Sequence, residues 1–346
     1  MDNVPDTGEL NENRRGMSKA ARSVLSSVFA FASAVGAAYC FGAGHLLASI
    51  PVFFLSALVM TFIFSHQRSV FFSFIPFALG YLAVLIPEVD RMLALIALSA
   101  VLFFSATVSV LLIRRAEKFY VFLLSSALFF AVFSGVLLLL LSDSTGSVAT
   151  AAERLSESGK TVIDEMLKIA GQNGVSVGEI DSGALVRAVT ALVPAGVMVA
   201  SMITSLIFSA FFGIATRIAG TRELLFSGEF TAPRPFAVIY LLVTAGAFLS
   251  GYIPEPWSYA ILNLDYVLMA IFVVVGVKSL VRSSRRRRTG GMLITVLIAA
   301  FVASMFFGGS IASILISVAV PVLSYIGALR SLRPAKDKGS EDNEQQ

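Results

Sequence analysis

Thiols and imidazoles are almost missing from this chain. Cys40 is the only cysteine, which excludes an intramolecular disulfide and any multi-thiolate metal site. The two histidines, His45 and His66, fall at opposite ends of one hydrophobic run, so they cannot share an imidazole site or a metal centre across a membrane. There is no H-E-x-x-H. Ser158-Gly159-Lys160-Thr161 has the ending of a phosphate loop, but Arg154 stands where G-x-x-x-x-G-K-[ST] needs glycine. No catalytic constellation, metal, cofactor or nucleic-acid partner is expected.

Charge is scarce too. Only 14% of the 346 residues are charged, whereas soluble domains carry about 25%. With 57% hydrophobic residues, the chain has more apolar surface than a water-soluble core can hide, so lipid is the solvent for much of it. Met1–Gly16 is polar and mostly acidic, and it does not read as a signal peptide.

What is present in abundance is long apolar runs. Ten approach the roughly 20 residues a spanning helix needs: Ser23–Phe41, Leu46–Ser65, Ser69–Pro87, Met92–Ile113, Phe119–Leu141, Pro194–Ala215, Pro235–Ile253, Ser258–Val281, Gly291–Gly308 and Ile311–Leu329. With a cytoplasmic N-terminus, 21 of the 26 Lys and Arg residues fall on the inner side. The outer side holds Arg91, Arg154, Lys160, Lys168 and Arg187. The positive-inside rule therefore puts both termini in the cytoplasm of a bacterial inner membrane. Arg282 and the run Arg285, Arg286, Arg287 and Arg288 form the strongest basic cluster, read as a topology anchor or an anionic-lipid contact.

The fold class that follows is all-α: a polytopic integral membrane bundle of about ten helices with an extracytoplasmic helical insertion. Residues 1–22 form a polar cytoplasmic start, 23–141 a first five-helix half, 142–193 the insertion, 194–329 a second five-helix half, and 330–346 a disordered tail. Within the insertion Val148, Leu155, Val162 and Ile169 recur every seven residues, which predicts an amphipathic helix of about 24 residues ended by Gly171–Gly174. Its stripe would pack on the outer ends of the spanning helices or on a membrane-protein partner. From Ala184 to Ala215 the pattern stays helical, with a bend expected near Pro194.

Two ladders of small residues, Ser26-Ala30-Ala34-Ala38-Gly42 and Ser201-Ser205-Ser209-Gly213, let backbones approach closely. They serve either internal packing or a homo-oligomer face. The segment Ile218–Arg234 mixes Arg222, Glu223 and Glu229 with Leu224, Leu225, Phe226 and Phe230, the pattern of a short interfacial turn.

Four stretches of the second half occur in a suggestive order: "ALVPAG", "ATRIAG", "ELLFSGEFTAPRP" and "LNLDYVLMAIFVVVGV". Over Leu185–Leu329 this order resembles the YybS-like bacterial membrane proteins, the domain of unknown function 2232. The resemblance implies a multi-pass inner-membrane protein with no established activity, and a fold likeness to substrate-capture subunits of vitamin transporters. It carries over no catalytic residues.

One ionisable residue stands inside a predicted span. Asp265 lies eight residues after Trp257, about 12 Å along a helix. A carboxylate there is costly unless paired, hydrated or protonated. It reads either as a substrate or cation contact, with Asn263, Arg187 and His45 as candidate partners, or as a residue at the wet boundary of a helix that starts late. The functions that fit are a transporter-like or substrate-capture protein, or a non-catalytic scaffold of an envelope complex.

Overall fold

The computed structural model describes residues 19–66, 90–113, 117–141, 148–172, 182–218, 231–286 and 309–332. The expected spans Ser69–Pro87 and Gly291–Gly308 lie outside the described residues, as do Arg287, Arg288, the polar start and tail, and most of Ile218–Arg234. Among the described residues the structure is helical, without strands. Nine α-helices are described: α1 (Lys19–Gly42), α2 (Leu46–His66), α3 (Arg91–Ile113), α4 (Lys118–Leu141), α5 (Val148–Gln172), α6 (Ser182–Ile218), α7 (Arg234–Phe248), α8 (Trp257–Arg286) and α9 (Gly309–Leu332). Eight of them carry predicted apolar runs and α5 is the predicted arm.

Among the described residues four helices are long and apolar enough to cross a membrane: Arg91–Leu112, Lys118–Leu141, Ser182–Thr216 and Trp257–Leu280. That is fewer than the ten runs, and α7 shows one reason. Its α-helix stops at Phe248 after 15 residues, about 22 Å against a hydrocarbon core of about 30 Å. The run continues instead as a 3-10 turn, with the N–H of Tyr252 bonded to Leu249 O at 2.9 Å and that of Ile253 to Ser250 O at 3.1 Å. Gly251 and Pro254 break the longer-range ladder that an α-helix needs.

The chain divides into two compact units, Met1–Ala116 with Phe208–Leu225, and Glu117–Ile207 with Phe226–Gln346. These do not coincide with the five-plus-five division. The fifth run, α4, belongs to the second unit, and α6 contributes its first part to the second unit and its end to the first.

In the first unit α1, α2 and α3 pack on one another. Gly44 turns the chain between α1 and α2 at φ +75°, a conformation that costs glycine nothing. Asp90 caps α3: its Oδ1 accepts the N–H of Met92 at 2.8 Å and of Leu93 at 3.1 Å. Its own N–H donates to Gly42 O at 2.8 Å, which ties the start of α3 to the end of α1. The ladder residues Ala30, Ala34, Ala38 and Gly42 are buried, so this ladder packs internally. Hydroxyls bridge the helices through backbone carbonyls: Ser56 to Ser33 O at 2.9 Å, Ser105 to Ala57 O at 3.3 Å and Ser109 to Thr61 O at 3.2 Å. The rings of Phe53, Phe104 and Phe208 meet edge to face. On α3 the inward face is Ala94, Ala97, Leu98, Val101 and Val108, while the larger Ile96 and Phe103 and the apolar Val110 face out. An outward apolar stripe of this kind suits lipid, not water.

In the second unit a core of Phe119, Phe122, Met202, Ala237, Tyr240, Ile271 and Phe272 joins α4, α6, α7 and α8. Of the second ladder this unit holds Ser201 and Ser205, both buried, and the hydroxyls of Ser205 and Ser125 pair across α6 and α4; Ser209 and Gly213 are buried in the first unit. The closest crossing is that of α8 and α9. A methyl added at Gly276 would overlap the carbonyl oxygen of Leu323, and one added at Gly327 would overlap that of Phe272.

The arm α5 runs Val148–Gln172, and of the expected stripe Leu155 lies on its inner side while Val162 does not. Val162 is 49% exposed and Ile163 is buried. Leu155, Gly159, Ile163 and Leu167 form the inward line instead. At Gly159 α6 is close by: an added methyl would stand 3.9 Å from Val186 and 3.8 Å from Thr190, ordinary contact.

Gly327→Leu should lower the detergent-solubilised melting temperature by the equivalent of roughly 1–3 kcal/mol, since neither backbone can yield to an inserted side chain. Gly135→Ala, where an added methyl meets nothing within 4 Å, should leave it unchanged or slightly raised.

Candidate functional site

The second unit gathers polar side chains at two levels along α8. The upper level is built on Pro194. Helix α6 runs 37 residues through this proline without interruption. Proline has no N–H for the carbonyl of Thr190, and its ring presses on that turn. The next pair of the ladder is Ala191 O and Ala195 N–H, and Asn263 of α8 takes up both. Its Nδ2 donates to Ala191 O at 2.7 Å, and its Oδ1 accepts the Ala195 N–H at 3.0 Å. The second amide hydrogen goes to Tyr259 O at 2.9 Å. The side chain thus fits into an opened helical turn, one of the established sources of a kink. Both donors of Asn263 are used on backbone, so its first role is to clasp α6 to α8.

One turn before Asn263, the Tyr259 hydroxyl donates to Glu255 at 3.0 Å, and Arg187 of α6 lies within electrostatic reach of that tyrosine. Arg187 is exposed. Residues 187 and 191 of α6 are therefore level with 259 and 263 of α8, and the two helices run in the same direction. Beyond this rim the chain exposes Phe248, Tyr252 and Trp257, the last two at 90% and 69%. Aromatic side chains with polar atoms, presented this way at a helix end, suit the interfacial belt of a bilayer.

The lower level is centred on Asp265. Its Oδ1 accepts the hydroxyl of Thr244 at 2.6 Å, and the carboxylate is half-buried. Thr244 is one turn from Tyr240 on α7. The Tyr240 hydroxyl meets Ser324 Oγ of α9 at 2.7 Å, and Ser324 donates to Pro321 O at 2.7 Å. Tyr240 and Ser324 are fully enclosed, and the Tyr240 ring stacks on Phe272 with centroids 4.9 Å apart. Asp265 and Thr244 thus join α8 to α7, and Tyr240 and Ser324 join α7 to α9. Sequence reasoning did not pick out Thr244, Tyr240 or Ser324. The available signal was a tyrosine and a threonine at i, i+4 in an otherwise apolar run.

The structure treats the sequence candidates differently. Asn263 and Asp265 stand in the same unit on different faces of α8, each with a defined partner. Arg187 is at the rim above them. His45 belongs to the first unit, exposed in the α1–α2 turn, with its ring centroid 6.2 Å from that of Tyr39. Arg282, Arg285 and Arg286 fall on the last turns of α8. At that end Arg330 of α9 donates to Ser279 O at 3.1 Å and to the Ser279 hydroxyl. Among the described residues no three His, Cys, Asp or Glu side chains come together to hold a metal ion. A single carboxylate backed by hydroxyls suits binding a proton or a cationic group; paired acid–base chemistry needs a second titratable partner.

Asn263→Leu should destabilise the protein by roughly 1–2 kcal/mol, the range for a polar helix–helix contact in lipid plus backbone groups left unpaired. In the Pro194→Ala background the same change should cost less, because Ala195 N–H can return to Ala191 O; thermal unfolding of the double-mutant cycle reads the difference. No family model, no curated protein and no solved structure matches this chain.

Proposed function

We propose that the chain is a bacterial inner-membrane protein of ten spans, related to the YybS-like proteins, that captures a small solute from the outer side of the membrane. The charge asymmetry supports the orientation, with 21 of 26 basic residues on one side. The parallel run of α6 and α8 supports the span order instead, since spans six and eight of a ten-span chain point the same way. Cysteine labelling tests the orientation. In a Cys40→Ser background, Glu157→Cys should react with an impermeant maleimide on intact cells and Ser284→Cys only after permeabilisation; the reverse pattern rejects it.

The observation that carries solute capture is the placement of Asp265. It is the one acidic residue of α7, α8 and α9, and it is held by Thr244 among apolar helices, just below the rim formed by Arg187, Glu255 and Tyr259. An intramembrane carboxylate is costly to keep and marks solute or ion pathways when it persists. It suits a small cationic solute or one that donates hydrogen bonds. No catalytic role is assigned.

A second reading, a non-catalytic scaffold of an envelope complex, is favoured by the outward face of α5. There Glu153, Glu157, Asp164 and Glu165 are exposed around Val162. A partner docked on the arm would cover that face.

The two readings separate on purified protein. For capture, a panel of small cationic and neutral metabolites should contain compounds that raise the melting temperature. At one hundred times Kd the gain is about 2.7 kcal/mol. Asp265→Asn should abolish the gain while still unfolding cooperatively. Absence of any stabilising compound, together with a fixed stoichiometric partner lost on Val162→Asp, would establish the scaffold.

A further inference from the structure

One end of the second unit collects cations from four helices. Phe119 at the start of α4 meets Phe236 at the start of α7 with ring centroids 5.2 Å apart, and Phe119, Val275 of α8 and Ala328 of α9 belong to one core. At the margin of that core stand Lys118, Arg234, Lys278 and Arg330, and the following turns of α8 add more arginines. The acidic residue there, among the described residues, is Glu117. Lys118 and Lys278 are half-buried and lie within electrostatic reach of each other. Lysines so placed bury their stems and carry their charge to the surface.

Arg330 differs from the other cations in being held. Its Nη1 donates to Ser279 O at 3.1 Å and to the Ser279 hydroxyl. Ser279 is buried, one turn past the close crossing at Gly276 and Gly327. A guanidinium has five hydrogens, and two are spent here. Of the other three, the Nε hydrogen and one on Nη2 lie parallel along one edge, the donor pair that a phosphate takes up bidentately. Arg330 is exposed, and among the described residues Ser279 is its hydrogen-bond partner and no carboxylate pairs with it. The surface beside it is apolar. Val318, Val322 and Leu329 recur on α9 at spacings of four and seven, each at least half exposed, and run from Arg330 toward the middle of the helix. A free phosphate ion makes no use of such a stripe, whereas an acyl chain lies along it.

We propose that Arg330, with Lys278 and Lys118 beside it, holds the phosphate of an anionic phospholipid whose acyl chain follows α9. The excess of basic residues at this end attracts anionic lipid in general. The arginines at the end of α8 supply charge, and Arg330 supplies a fixed direction. In the proposed orientation the lipid belongs to the cytoplasmic leaflet. The site shares no residue with the solute-capture site around Asp265.

The test titrates delipidated full-length protein in a neutral detergent with dioctanoyl phosphatidylglycerol, dioctanoyl phosphatidylcholine and inorganic phosphate. Native mass spectrometry counts the bound molecules, and the melting temperature is followed in parallel. Phosphatidylglycerol should fill one saturable site and raise the melting temperature, with the other two binding much more weakly. Arg330→Lys keeps the charge and loses the paired donors. It should weaken phosphatidylglycerol about tenfold, the scale of one charge-assisted bidentate contact. Lys278→Gln should weaken it too. Arg286→Gln, which removes a charge two turns beyond Ser279, should matter far less. The lipid-free melting temperature of each variant separates a folding defect from a binding defect. Arg330→Lys binding like the wild type, or Arg286→Gln losing as much as Arg330→Lys, means diffuse attraction and overturns the site. Inorganic phosphate binding as tightly as phosphatidylglycerol overturns the assignment to a lipid.

Discussion

Polar groups inside hydrocarbon must find their partners within the protein, and that constraint organises the described structure. Water is not there to complete a hydrogen bond, so hydroxyls and amides in apolar helices turn to a neighbouring backbone or side chain, with Thr61 of α2 the exception among the described residues. Ser56, Ser105 and Ser109 hold α1, α2 and α3 together through carbonyls of the facing helix. Ser125 and Ser205 satisfy each other, and Asn263 places its amide in the turn that Pro194 opens in α6. Proline inside a helix is normally a defect. Here the defect provides two backbone partners for a polar side chain on the next helix.

The same solvent loosens the usual distribution of size. In water, large apolar side chains go inside. On α3 alanines face inward with Leu98, Val101 and Phe104, while Ile96 and Phe103 face outward. Small residues inside allow helix backbones to approach, and dispersion and carbonyl contacts replace the hydrophobic drive that lipid removes. The crossing at Gly276 and Gly327 carries this furthest, with backbone resting on backbone. That crossing also fixes α9 against α8, and so holds Ser324 where Tyr240 of α7 can reach it.

Helix α6 links the functional elements. Its first turns carry the arm α5 at Gly159, Val186 and Thr190, and its next turn is clasped by Asn263. The stretches "ALVPAG" and "LNLDYVLMAIFVVVGV", which hold Pro194 and Asn263, are thereby in contact. Asp265 follows Asn263 by two residues and faces α7 instead. The clasp and the carboxylate thus share one segment of α8 and divide its faces between structure and chemistry.

Much of the secondary structure was legible from residue pattern alone. The apolar runs mark helices and the helical recurrence marks α5, because burial in lipid and helical period act on one residue at a time. What the pattern did not reveal is which neighbour each face meets. In water, a polar face and an apolar face tell outside from inside; in lipid both surroundings are apolar and the distinction fades. The inward line of α5 was therefore read through Val162 when Gly159 and Ile163 carry it. Asn263 was read as a ligand contact when α6 takes up its amide, and Tyr240, Thr244 and Ser324 passed unnoticed. Sequence determined that helices form and that Asp265 lies inside one. Tertiary structure decided which hydroxyls reach it, because hydrogen-bond partners far apart in the chain are set by how helices cross, and the crossings are set by glycines whose effect depends on the helix opposite.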